Sequence, residues 1–365
     1  MKNVVRWLPA VVAPVLVIGG ALAIPAVANA AAAPPSRTAQ QVLALIAGAK
    51  DAAYSGTIRQ TSDLGLPQLP SVGPGSSSTG SDATSQILDL LTADHTARLF
   101  VDGESKERVQ VLDSLAERDV VRNGSEVWTY DSKTKKATHV TLSAHQPAAG
   151  SASPSPDAQT LSPAQLAEKF IAAIEPSTKV SVSSTASVAG HAVYQLRLTP
   201  RADASQADAT LVSRVTLSVD AKTGLPLKVV VDARGQKSDA FTVGFSSIDY
   251  STPAASLFDF TPPKGAIVST PAAPSKPAHP SGSGTRHPEP TVTGSDWSSI
   301  VELPAAAPGA APSASASQSK LLDELTTSVS GGRALQTSLL SVLLTDDGRI
   351  LVGAVPIASL EAAAQ

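Results

Sequence analysis

The residues of this chain best suited to acid–base or metal chemistry are its six histidines, His95, His139, His145, His191, His279 and His287. No two of them stand at metal-ligand spacing, and the last two fall in a proline-rich stretch, so they read as exposed loop and strand residues. Cysteine is absent, which removes a thiol nucleophile, a thiolate metal site, a lipid-modified cysteine and any disulfide. The phosphate-cradling glycine loop, the dinucleotide fingerprint and the G-x-S-x-G elbow are all missing; Gly73 to Gly80 is low-complexity glycine and serine. Acidic residues are scattered over polar positions and turns. Asn123-Gly124-Ser125 has the form of a glycosylation acceptor, but a hairpin turn is enough to account for it. The sequence therefore predicts no catalytic constellation, no metal and no cofactor, and reads as a non-enzyme. A formal net charge of −3, mixed along the chain, gives no electrostatic footprint for nucleic acid.

What remains is binding by exclusion of water. Aromatics are only 4% of the residues, so they mark places where large buried volume is wanted. The candidate lining of an apolar cavity comes first from Leu99, Val101, Val109, Val111, Trp128 and Tyr130. Leu196, Leu198, Phe241, Val243 and Phe245 complete it from later strands. Within each segment these residues alternate with others, the period that puts side chains on one side of a sheet. Trp128 and Tyr130 have two readings of equal weight, cavity lining or ordinary core beneath a helix.

The elements that must position these residues are mostly strands. They are predicted from Tyr54 to Thr61, Arg98 to Asp102, Glu107 to Leu112, Ala116 to Arg122, Glu126 to Tyr130 and Thr138 to Leu142. A second series runs from Lys179 to Ser183, Val193 to Thr199, Val212 to Asp220, Leu227 to Asp232 and Phe241 to Tyr250. Asn123-Gly124, Thr223-Gly224 and Arg234-Gly235 supply turns. Val215, Leu217 and Val219 alternate with Thr216, Ser218 and Asp220, which means one dry face and one wet face. Only two helices accompany the strands. Ser36 to Lys50 carries Val42, Leu45 and Ile46 at helical spacing, and Ser162, Pro163 and Gln165 open a second with a capping box. Many hairpins and few helices predict an α+β fold: a curved antiparallel sheet, or unclosed β-barrel, with covering helices.

Several segments flank this domain. Lys2, Arg6, the apolar run from Trp7 to Val27 and Ala28-Asn29-Ala30 read as a signal peptide over 1–30. An uncleaved anchor is the rival reading, since about 17–25 apolar residues also span a bilayer. The sheet domain is expected over 36–269, with Leu64, Leu66 and Leu69 in a long loop from Asp63 to Gly80 that is either a lid or simply anchored. Residues 270–319 are rich in Pro, Ala and Ser and read as a linker with a Trp297 island from Val292 to Leu303. Residues 320–365 are expected to form a small helix-hairpin-helix module, with a turn at Asp346-Asp347-Gly348. A lone hairpin is marginal in water, so this module must dock on the first domain or bind a partner.

Four motifs carry a family resemblance. Val121 to Asp131 (VRNGSEVWTYD), Tyr194 to Arg201 (YQLRLTPR), Asp220 to Leu227 (DAKTGLPL) and Phe258 to Gly265 (FDFTPPKG) occur in the order and spacing of the LolA/RseB-like superfamily of envelope proteins. The resemblance covers about residues 36–268. It implies an unclosed β-barrel wrapped around helices, with an apolar cavity for acyl chains of lipids or lipoproteins. The long loop, linker and tail depart from the compact carriers of that superfamily and are closer in layout to its RseB-like sensors. Arg98 and Arg108 lie near the region of the carriers' gating arginine, but neither sits in a matching motif. The expected function is that of a secreted or envelope binding protein holding an acyl chain. The alternative is a sensor that binds a membrane-anchored protein partner.

Overall fold

The computed structural model describes residues 34–49, 52–65, 94–113, 116–142, 171–172, 176–201, 210–270, 291–305 and 325–365. The predicted signal peptide, the loop beyond residue 65 and the helix opened by Ser162, apart from Ile171 and Ala172, lie outside them.

Two meanders build one large sheet. The first comprises β1 (Ala53–Ser62), β2 (His95–Asp102), β3 (Lys106–Asp113), β4 (Ala116–Asn123), β5 (Glu126–Asp131) and β6 (Lys136–Thr141). The second comprises β7 (Thr178–Val188), β8 (His191–Pro200), β9 (Val212–Asp220), β10 (Pro226–Ala233) and β11 (Phe241–Asp249). β11 pairs with β1, which joins the meanders, and β12 (Ile267–Ser269) adds to the far side of β6. The order β12-β6-β5-β4-β3-β2-β1-β11-β10-β9-β8-β7 leaves two free edges, so the curved sheet is unclosed. All pairs are antiparallel except β12 with β6.

Local chemistry explains the hairpins. Gly124 sits at φ 63, the left-handed region that glycine enters freely. Gly224 is needed twice over: its φ is 77, and a Cβ there would lie 2.3 Å from the Leu45 carbonyl oxygen. That close approach seats helix α1 (Ala39–Ala47) on the sheet. Thr38 caps the helix in a reciprocal capping box with Gln41. Val42 of α1 is fully buried against Tyr194 and Val219, with Leu45 and Ile46 beside it.

The C-terminal region departs from the expected linker and hairpin module. Residues of the Trp297 island form β13 (Thr291–Thr293) and β14 (Ile300–Leu303), and both join the C-terminal strands in one sheet. Its other members are β15 (Thr327–Val329), β16 (Gly332–Gln336), β17 (Ser341–Thr345) and β18 (Ile350–Gly353), in the order β13-β14-β18-β17-β16-β15. Helix α2 (Ile357–Ala364) covers one side, where Leu360 packs with Ile300, Leu343 and Leu351. The lone hairpin thus becomes a six-stranded sheet with its own core. It also touches the large sheet. Trp297 Nε1 donates to Thr178 Oγ1 at 2.8 Å, Leu211 N–H donates to the Ala354 carbonyl at 2.7 Å, and Ser338 N–H donates to the Leu64 carbonyl at 2.9 Å.

Candidate functional site

Residues that stand directly opposite in a ladder share a face, so the registers sort the predicted lining residues. On one face Val101 is opposite Tyr54, Leu99 opposite Val109, and Val111 opposite Ala97. That face continues across β1, where Ile58, Gln60 and Ser62 stand opposite Phe245, Val243 and Phe241. Farther on, Val243 leads through Val229 and Leu217 to Leu196, and Phe241 leads through Val231 and Val215 to Leu198. Leu99, Val101, Val109, Val111, Leu196, Leu198, Phe241, Val243 and Phe245 therefore belong to one apolar face from β3 to β8. Leu196 is fully buried and the other eight are half-buried. Helix α1 covers the β8–β9 end of this face.

Trp128 and Tyr130 are not part of it. Trp128 stands opposite Val121 and His139, and Tyr130 opposite Asp119 and Ala137, all on the other face. Val120, the neighbour opposite Val109, is the residue that continues the Leu99 row. The expectation of a single cavity lined by all eleven residues is corrected on this point. The physical reason is register parity: alternation sorts residues within a strand but does not say which set faces which across a turn.

Near β3–β6 the chain itself covers part of the second face. After a 3-10 turn (Ala255–Phe258) resting on β3 and β4, residues 259–266 lead to β12 beyond β6. Phe258 is fully buried, and the Phe260 ring lies 5.6 Å from that of Trp128 and 5.9 Å from that of Tyr130. Trp128 stacks on His139 at 4.2 Å, and the His139 Nε2 is bonded to Glu126. Polar ties hold the strap down. Arg108 Nη1 donates to the Leu257 carbonyl at 3.2 Å, while its Nε and Nη2 donate to the two carboxylate oxygens of Asp119 at 3.3 and 3.1 Å. Asn123 Nδ2 donates to Asp259 at 3.2 Å. Trp128 and Tyr130 are half-buried, and among the described residues it is the strap that lies over them. The F-x-F pattern of Phe258 and Phe260 was the available signal for that role; the Arg108–Asp119 pair had none. Arg98, by contrast, is exposed.

A further polar cluster sits at the β9–β10 turn. Asp220 accepts from the N–H groups of Lys222 and Thr223 at 2.8 and 2.9 Å and from the Tyr250 hydroxyl at 2.9 Å. Burial alone would raise the Asp220 carboxyl, but these donors outweigh it and hold it below its ordinary value. Burial, together with the Asp220 bond and charge, pushes the Tyr250 phenol up to about 12. Burial, then the Glu107 charge, also raises Tyr54. This chemistry orders a turn. Among the described residues no group of three His, Asp or Glu side chains is placed to hold a metal ion, and no described helix is long and apolar enough to cross a membrane.

Residues 89–255 match a family model described as the MucB/RseB N-terminal domain. Over that stretch the chain is similar to that domain. No curated protein matches the sequence. Solved structures similar to the chain include the complex of MucA and MucB from Pseudomonas aeruginosa, at 17% identity and a TM-score of 0.44, covering 89% of this chain and 96% of that one. An uncharacterized conserved protein from Thermus thermophilus is similar at 12% identity and a TM-score of 0.35, over 64% of this chain and 100% of that one. A LolA superfamily protein from Nitrosomonas europaea is similar at 10% identity and a TM-score of 0.25, over 62% and 99%. The match to the family model ends at residue 255, just where the strap begins.

Proposed function

We propose that the chain is a non-catalytic binding protein of the cell envelope that holds an acyl chain of a lipid or lipoprotein against the apolar face running from β3 to β8. The supporting observation is the continuity of that face. One row passes from Ile248 through Gly56, Leu99 and Val109 to Val120 without a charged side chain, and Val120 remains 44% exposed. Glu107, Arg118 and Arg122 flank that row on the same face, and burial of apolar surface is the interaction the row itself offers. Each methylene removed from water contributes about 0.8 kcal/mol, so a long acyl chain gains on the order of 10 kcal/mol before ordering costs. No covalent step is involved. Organic extraction of protein isolated from its native envelope, followed by mass spectrometry, tests the reading. Acyl lipids in stoichiometric amounts support it, and a protein that is consistently lipid-free ends it.

The match to a MucB/RseB domain, with a second sheet attached to the first, favours a second reading, in which the chain is a sensor that binds a membrane-anchored envelope protein. Lipid-free protein that co-purifies with such a partner is the outcome that selects it.

A further inference from the structure

The strap settles on β3 and β4, and the same face of the large sheet continues past it across β2, β1 and β11. There Ser55, Thr57, Arg98, Phe100, Ser247 and Asp249 line an open depression of about 390 Å³. Two cross-strand rows build it: Arg98–Thr57–Ser247 and Phe100–Ser55–Asp249. It lies over the β-bulge at which the β1–β11 register shifts, between Thr57 and Ile58, and bulges re-aim side chains where sheets carry sites.

The polar groups of this depression have few partners. Arg108, Arg214 and Arg349 are paired with carboxylates, whereas Arg98 makes no hydrogen bond or ion pair with a described residue. Nor do the hydroxyls of Ser55, Thr57 and Ser247. Asp249 accepts the Ser251 N–H at 2.8 Å, which holds its carboxyl below its ordinary value and so ionised at neutral pH. Arg98 and Asp249 lie at opposite corners, two strands and two residues apart. From strand spacing and rise their Cα atoms are roughly 12 Å from one another. Opposite charges at two corners, free hydroxyls between them and one aromatic wall form a pattern of complementarity. A guanidinium with free donors fits a carboxylate; an ionised aspartate at the other end repels a dianion and attracts an ammonium.

We propose that this depression binds a small zwitterionic peptide, with its carboxylate on Arg98 and the Thr57 and Ser247 hydroxyls and its ammonium on Asp249. The site is on the face opposite the apolar one, so it stands or falls separately from acyl-chain binding. Calorimetric titration of the full chain tests it with four probes: alanyl-alanine, its N-acetyl form, its C-terminal amide and inorganic phosphate. Alanyl-alanine should bind saturably, and each blocked form should bind about tenfold more weakly, the weight of one charge-assisted contact. Arg98→Ala should weaken alanyl-alanine by tenfold or more, and Asp249→Asn should reduce it to the level of the N-acetyl form. Both residues are exposed, so thermal midpoints should stay unchanged; Arg98→Gln replaces Arg98→Ala if its midpoint drops. Absence of saturable binding, indifference to both substitutions, or tighter binding of phosphate would overturn the proposal.

Discussion

The two faces of the β2–β6 sector have similar apolar content and opposite fates. On one, Trp128, Tyr130 and Val121 lie beneath Phe258 and Phe260, and Arg108 ties the strap's backbone to Asp119. On the other, Leu99, Val101, Val109 and Val111 stay half-buried, and the row they belong to ends on exposed Val120. What separates them among the described residues is the strap, which lies over one and not over the other. Apolar surface under the strap contributes to stability, and apolar surface that the described residues leave half-exposed is available to a guest. The two should therefore respond differently to the same kind of substitution.

The largest contrast is expected from Phe258→Ala set against Leu99→Ala. Emptying a fully buried phenylalanine site costs about 3–5 kcal/mol, whereas trimming a half-buried leucine costs about 1–2 kcal/mol. Denaturant unfolding of both variants measures this, and equal losses would erase the distinction between the faces. The same pair sharpens the functional reading: Leu99→Ala should weaken acyl-chain binding and Phe258→Ala, where it still folds, should not.

Next in size is Asp119→Ala. The carboxylate is buried and receives two Arg108 donors, so its removal leaves a guanidinium facing the strap without a counter-charge. Breaking one partner of a buried pair costs about 3–5 kcal/mol, and the partial exposure of Arg108 lowers this to about 2. Hydrogen exchange should show the loss concentrated in residues 255–269. Uniform loss across both faces would mean that the pair supports the whole sheet rather than the strap.

Much of this architecture was legible because local rules act locally. The β-alternation of Val215, Leu217 and Val219 and the Asn123-Gly124 turn each need only neighbouring residues to take effect, and β9 and the β4–β5 hairpin follow from them. What could not be read depends on distant pairings. Strand β12 is three residues long and is held by Lys136 to Thr138, over a hundred positions earlier. The Trp297 island sits within a segment of linker composition, and β14 becomes a strand by pairing with β13 and with the distant β18. Trp128 was separated from Leu99 by the parity of three ladders, a property of registers that composition does not encode. The candidate face was therefore visible strand by strand, and its membership was not.

The smallest expected effect concerns the root of the strap. Tyr250 is the first residue beyond β11, and its hydroxyl donates to Asp220 across the sheet. Because the folded phenol is pushed up to about 12, while an unfolded tyrosine titrates near 10, folding favours the neutral form. That contribution is complete below about pH 10 and is lost as pH rises from 10 towards 12. Asp220 works in the other direction. Its carboxyl is held low in the fold, so its contribution is present above the ordinary carboxylate range and fades as pH falls through it. Tyr250→Phe should flatten the alkaline decline in thermal midpoint between pH 10 and 12. It should also make the acid decline shallower, because Asp220 loses a donor that holds its carboxyl low. Both shifts should be accompanied by faster exchange at the start of the strap, with the Leu99 face unaffected. If the variant's alkaline decline runs parallel to that of the unmodified protein, the bond does not anchor the strap, and closure of the second face rests on Phe258 and Arg108 alone.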